Sequence, residues 1–191
     1  MIRRFDVPDL PVSPWKNGGG ETREIATWPP YGEPDDFDWR VSVASIGASG
    51  PFSPFPGIDR TITLIEGDGV QLRADGLAHR LDTPWQPFEF SGDLAVDCTL
   101  LGGASTDLNV MCRRARCRAA VRVFDAPTKL APADHGLLLC VHGQWRAGGG
   151  TLKQGQGVWW AEQTERWRLK PASRDATLVA VGWSFSPEVS S

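Results

Sequence analysis

Residues 39–46 read Trp39-Arg-Val-Ser-Val-Ala-Ser-Ile46. Arg40, Ser42 and Ala44 fall on one face, and Trp39, Val41 and Val43 fall on the other. A period of two belongs to a β-strand whose faces meet different surroundings. Arg60-Thr-Ile-Thr-Leu-Ile65 alternates in the same way, and the Glu66-Gly-Asp-Gly69 after it predicts a hairpin. Leu94-Ala-Val-Asp-Cys-Thr-Leu-Leu101 reads as a further strand. Turn signals separate such runs along the chain, among them Pro29-Pro-Tyr-Gly32, Gly47-Ala-Ser-Gly-Pro51, Ser91-Gly-Asp93, His142-Gly143 and Gly148-Gly-Gly150. No segment of 12 or more residues combines helical periodicity with freedom from Gly and Pro. Short strands at this spacing predict an all-β sandwich or barrel.

The pattern repeats. Leu64-Ile-Glu-Gly-Asp-Gly-Val-Gln-Leu72 matches Cys140-Val-His-Gly-Gln-Trp-Arg146, an apolar strand, a glycine turn and a second strand. About 20 residues later each copy carries an aromatic run, a polar turn and an apolar strand. In the first copy these are Trp85–Phe90, Ser91–Asp93 and Leu94–Leu101; in the second, Arg166–Leu169, Pro171–Asp175 and Ala176–Gly182. Two copies predict two small barrels, one over 1–105 and one over 106–191, with strands open to exchange between them. Thr106 to Thr128 bridges the copies without a linker composition.

Composition narrows the function. The 191 residues include 21 glycines, 15 prolines and nine tryptophans, which suits a turn-rich fold with a large core and excludes a helical bundle. A formal charge of −3 lacks the basic excess of a nucleic-acid-binding surface. No apolar run is long enough to span a bilayer, and the first residues have no secretory apolar core, so the expected setting is cytoplasmic. Cys98, Cys112, Cys117 and Cys140 are then reduced thiols, and Cys112 with Cys117 lacks the second pair of a zinc site. His79, His135 and His142 form no His-x-His pair, so no metal and no cofactor are expected. A closed two-fold homodimer is compatible with this sequence, as the commonest oligomer class.

Polar signals concentrate before position 115. In Trp15-Lys-Asn-Gly-Gly-Gly-Glu-Thr-Arg-Glu-Ile25 the amides of Gly18 and Gly19 are open to an anion, with Lys16 and Asn17 as added donors; the spacing of a P-loop is absent. Gly50-Pro-Phe-Ser-Pro-Phe-Pro-Gly-Ile-Asp-Arg60 is a stiff loop whose Phe52 and Phe55 would wall a pocket, with Asp59 and Arg60 as a pair that fixes it. Arg40 and Ser42 share the face a barrel turns inward, and a buried arginine needs an anionic partner. Arg40 is therefore the expected carboxylate clamp. Asn109 and Arg113, at alternate positions on a strand from Asp107, would line the same pocket. Glu24 and Asp59 are candidate general acid/base groups.

The Trp15–Ile25 motif, Trp39-Arg-x-Ser, Gly50-Pro-Phe-Ser-x-Phe-Pro-Gly-x-Asp-Arg60 and Asp107-Leu-Asn-Val-Met-x-Arg-Arg114 together resemble the signature of the HutD/Ves family, in order and over most of the chain. The resemblance implies a bicupin, two cupin-type (RmlC-like) β-barrels in one chain. It also implies a setting in bacterial histidine utilisation, as a brake that binds a pathway metabolite such as formylglutamate or urocanate. Metal-dependent cupins carry His-x-His and Glu ligands on barrel strands. Here Lys153-Gln-Gly-Gln-Gly-Val-Trp-Trp160 has no histidine where those proteins place one. The expectation is a metal-independent binder of a small anionic metabolite. A hydrolase or isomerase acting on a histidine-degradation intermediate is the alternative, and a purely protein-interacting module a third.

Overall fold

Period-two alternation becomes strand at the stretches read above. The computed structural model describes residues 1–30 and 36–186. Tyr31 and Gly32 of the first turn signal lie outside the described residues. In chain order the strands are β1 (Ile2–Asp6), β2 (Val12–Pro14), β3 (Gly20–Trp28), β4 (Trp39–Ile46), β5 (Gly50–Pro51), β6 (Ile58–Gly67), β7 (Val70–Ala74), β8 (Leu77–Leu81), β9 (Pro87–Ser91) and β10 (Asp97–Leu100). They continue with β11 (Ser105–Arg113), β12 (Cys117–Phe124), β13 (Thr128–Lys129), β14 (Gly136–His142), β15 (Gln144–Ala147), β16 (Gly150–Lys153), β17 (Gln156–Trp160), β18 (Arg168–Pro171) and β19 (Thr177–Phe185). A single 3₁₀ turn, Val7–Asp9, is the only helical element among the described residues, and no helix is long and apolar enough to cross a membrane.

The chain divides into two compact units, Pro11–Arg116 and Met1–Leu10 with Cys117–Ser191. The division expected after residue 105 falls at 116 because β11 sits between β4 and β6 in the first unit's sheet. The first ten residues leave that unit because β1 extends the other unit's sheet beside β17, from Ile2 opposite Trp160 to Asp6 opposite Gln156.

In the first unit a six-stranded sheet, β2-β3-β4-β11-β6-β9, accompanies a four-stranded sheet, β5-β10-β7-β8. In the second unit the sheets are β1-β17-β14-β19-β12 and β13-β18-β15-β16. Adding eight to each strand number from β4 to β11 reproduces the pairings of β12 to β19. The repeat is therefore one eight-strand plan used twice. The first half of the sequence repeat matches this plan, but the second half is one strand out of step: β10 corresponds to β18, and β11 to β19. The expected hairpin after Ile65 is a corner instead. β6 and β7 belong to different sheets, and Gly67 (φ 98°) and Gly69 (φ 86°) carry the chain between them. A Cβ on Gly69 would stand 2.1 Å from the Leu81 carbonyl oxygen.

The interior of the first unit is apolar at one end, where Ile46, Ile62, Leu64, Val70, Leu72 and Phe90 cluster. In the second unit Trp145, Trp160, Trp167, Leu138, Leu152, Leu178 and their neighbours form one buried apolar cluster.

Candidate functional site

The polar end of the first unit holds a cavity of about 450 Å³. Its floor comes from the inward faces of β6, β11 and β4, and the register fixes who meets whom. Met111 of β11 lies between Arg60 of β6 and Arg40 of β4. Asn109 lies between Ile62 and Ser42, and Asp107 between Leu64 and Ala44. Two pairing irregularities border this floor, one between Thr106 and Asp107 against β6, the other between Glu24 and Ala26 against β4. Such bulges often re-aim side chains beside functional sites.

Arg60 is the centre of the site. It is 8% exposed, and its guanidinium lies 5.3, 5.6 and 5.0 Å from the ring centroids of Phe52, Phe55 and Phe90. Its Nε and Nη2 donate to one acceptor, Asn109 Oδ1, at 3.3 and 3.2 Å. Among the described residues no other acceptor reaches it. Burial lowers its pKa to about 10, so it remains a cation at neutral pH. Asp107 is 3% exposed, and its Oδ1 has no hydrogen-bond partner. Burial pushes its carboxyl up to about 7, against the opposing pull of Arg60.

The remaining walls come from two loops. Trp15 stands edge-on to Phe52 at 6.2 Å and donates its indole N–H to Thr22 Oγ1 at 2.8 Å. The Gly50–Arg60 loop is anchored by Phe52 N–H to Val96 O at 2.8 Å and Phe55 N–H to Gly92 O at 2.7 Å. Arg114 clamps its far side, with Nε 2.7 Å from Asp59 Oδ1, Nη1 2.9 Å from Asp93 Oδ2 and Nη2 donating to Ser91 Oγ. Asp93 in turn accepts the Gly57 amide at 2.7 Å, and this bond above all holds its carboxyl down at about 2.

Lys16, Asn17, Arg40, Ser42, Phe52, Phe55, Arg60 and Asn109 all line this one cavity. Gly18 and Gly19 do not: the Gly18 amide donates to Trp15 O at 3.0 Å and the Gly19 amide to Asn17 Oδ1 at 3.0 Å, so the loop consumes the donors expected to face an anion. Arg113 also lies elsewhere. Its strand has run past the end of the cavity, and its Nε donates to Phe37 O at 2.9 Å. The expected Asp59–Arg60 pair is absent because neighbours on a strand face opposite ways; Asp59 pairs with Arg114. Glu24 approaches Arg40, with Oε2 2.7 Å from Nε in a contact that lacks hydrogen-bond alignment.

Sequence reasoning missed Asp107. The signal that selected Asn109, alternate positions on one strand, includes Asp107 two residues earlier. Trp15 and Thr22 were likewise within a quoted motif but unassigned. The donor set does not suit a divalent cation, since one carboxylate faces Arg40, Arg60 and Lys16 and no imidazole lines the cavity. Among the described residues no group of three or more His, Cys, Asp or Glu is placed to hold a metal ion. All four cysteines are free and buried.

Comparison with known proteins places the family and the fold. The family model described as HutD matches residues 7–179. Protein Ves of Citrobacter koseri is 41% identical over 188 residues, covering 96% of this chain and 97% of that protein. The solved structure of HutD from Pseudomonas fluorescens SBW25 (formate condition) superposes with a TM-score of 0.87 at 30% identity, covering 97% of this chain and 100% of that one. A cupin 2 conserved barrel domain protein from Leptotrichia buccalis superposes with a TM-score of 0.61 at 8% identity, covering 95% and 96% of the two chains. That likeness concerns the fold, which is of the cupin type.

Proposed function

The chain belongs to the HutD family, and from that premise we propose that it binds a small carboxylate metabolite of histidine utilisation, formylglutamate or urocanate, and acts as a metal-independent brake on that pathway. The observation that supports this reading is the Arg60 guanidinium, buried among three phenyl rings with one neutral acceptor. A buried cation is costly without a counter-charge, and an incoming carboxylate supplies one through a bidentate contact. Arg40 and Lys16 add positive charge to the same cavity, which favours an anion over a neutral ligand. The rings of Trp15, Phe52 and Phe55 enclose the apolar part of the ligand.

Binding accounts for these groups better than turnover does. The two carboxylates first considered as acid/base groups are engaged, Glu24 with Arg40 and Asp59 with Arg114. Calorimetry with formylglutamate and urocanate tests the reading. A charge-assisted arginine contact contributes about 1.5–3 kcal/mol, so a folded Arg60→Leu variant should bind roughly tenfold to a hundredfold more weakly. Arg40→Ala should lose about tenfold. Unchanged affinity in both variants, or no binding of either acid to the wild type, overturns the proposal.

A further inference from the structure

The cavity is bipolar. The guanidiniums of Arg60 and Arg40 belong to the row at Met111, and Asp107 belongs to a row four residues away on the same strand, about 13 Å along the backbone. The Arg60 side chain reaches back to Asn109, which leaves its cationic end and the Asp107 carboxyl about two residues apart, roughly 7 Å along the strand. Among the described residues no ion pair closes that gap. Asp107 therefore keeps an unpartnered carboxyl oxygen beside an open cavity. A soft rotation about χ2 turns either oxygen toward the cavity.

We infer that Asp107 is a specificity-determining acceptor: the ligand of this cavity carries an N–H donor a few bonds from its carboxylate, and Asp107 accepts that donor while the arginines hold the carboxylate. The inference rests on the carboxylate-binding reading above and adds a second requirement to it. A plain carboxylate would leave the buried oxygen unpaired and hold Asp107 to its protonated form. A ligand with a donor at that end removes both penalties. Sites built to pair with a ligand N–H reject analogues that lack it far more strongly than apolar pockets reject a changed methylene. The ligand class is thus an acylated amino acid or a heteroaromatic acid with a ring N–H, not a simple dicarboxylate.

Matched pairs test this. Formylglutamate is compared with the ester in which oxygen replaces its N–H, and urocanate with the oxazol-4-yl acrylate in which oxygen replaces the ring N–H. Calorimetry on the wild type should show the N–H member of the preferred pair binding at least tenfold more tightly. In Asp107→Leu that ratio should fall to about twofold, with the affinity of the oxygen analogue retained. Asp107→Asn, close to isosteric, provides the same reading if the leucine variant does not fold: its amide can turn to donate to the ester or oxazole oxygen, so the ratio should drop below about threefold. Equal binding within both pairs by the wild type, or a ratio that survives in the folded Asp107 variants, overturns the inference and leaves carboxylate binding standing. No binding of any of the four acids overturns both.

Discussion

Replacing Asp107 with asparagine should stabilise the protein by an amount that grows as pH rises from 4 to 7 and then levels off. The side chain is 3% exposed, and burial raises its pKa from the ordinary carboxylate value of 3.8 to about 7. Each unit is worth about 1.36 kcal/mol, so a shift of about three units corresponds to about 4 kcal/mol. The sign follows from proton counting. The native state holds its Asp107 proton up to about pH 7, whereas the unfolded chain releases it near pH 4. The native state binds more protons across that window, so stability falls as pH rises from 4 to 7, and the full loss persists above 7. Asparagine has a similar shape and no such titration. Wild type and Asp107→Asn should be about equally stable near pH 4. The variant should gain up to about 4 kcal/mol by pH 8, reduced by whatever Arg60 loses when its nearby negative charge is removed. Urea unfolding at unit steps of pH, read through the transition that the substitution moves, measures the difference. A difference that stays flat from pH 4 to 8, or a variant less stable than wild type at pH 8, refutes the reasoning.

Two other substitutions probe how the cavity is held. Gly92→Ala would place a Cβ 2.7 Å from Phe55 O and 2.8 Å from Ile58 O, backbone atoms that cannot step aside, so it should destabilise the first unit by about 1–3 kcal/mol and weaken ligand binding, as thermal melting and calorimetry would report. Arg114→Ala removes exposed ion pairs, which contribute little to stability, so melting should shift slightly while the Gly57 amide exchanges faster and affinity falls a few-fold; unchanged exchange at Gly57 would show that the clamp does not order the loop. The four thiols should resist a disulfide reagent in the native protein and all react after unfolding, since each is buried and burial pushes Cys98 up to about 12 and Cys140 up to about 11.

Alternation made much of the site legible. It set the inward face of β4, and so Arg40 and Ser42, and the aromatic loop announced Phe52 and Phe55. It misled where a strand outlasts the cavity: Arg113 shares parity with Asn109 but opposes Ile58 beyond the cavity's end. The glycine run misled for another reason. Its amides looked unsatisfied in sequence, yet a tight loop satisfies its own donors first, and the Asn17 side chain supplies the acceptor for Gly19. The repeat was legible where a glycine corner follows an apolar strand. It lost register further on, because the aromatic runs at Trp85–Phe90 and Arg166–Leu169 look alike but lie mainly on β9 and β18, which are not equivalent in the eight-strand plan.

The same plan shows why the equivalent inward strands line a polar cavity in one unit and an apolar core in the other. β6 and β11 bring Arg60, Asp107 and Asn109 inward, whereas their equivalents β14 and β19 bring Leu138, Cys140, Leu178 and Ala180 to a core that Trp145, Trp160 and Trp167 fill. Backbone topology cannot distinguish the two units; side-chain volume and polarity do. Three buried indoles remove several hundred Å² of apolar surface from water, a strong reason for these strands of the second unit to enclose an apolar core. The first unit gives up that gain and keeps a desolvated cation and a desolvated carboxyl near each other without joining them. An internal ion pair would have lowered the cost of both. Their separation leaves each charge able to meet a complementary group from outside, so the polarity of the cavity is better explained by a ligand than by the fold.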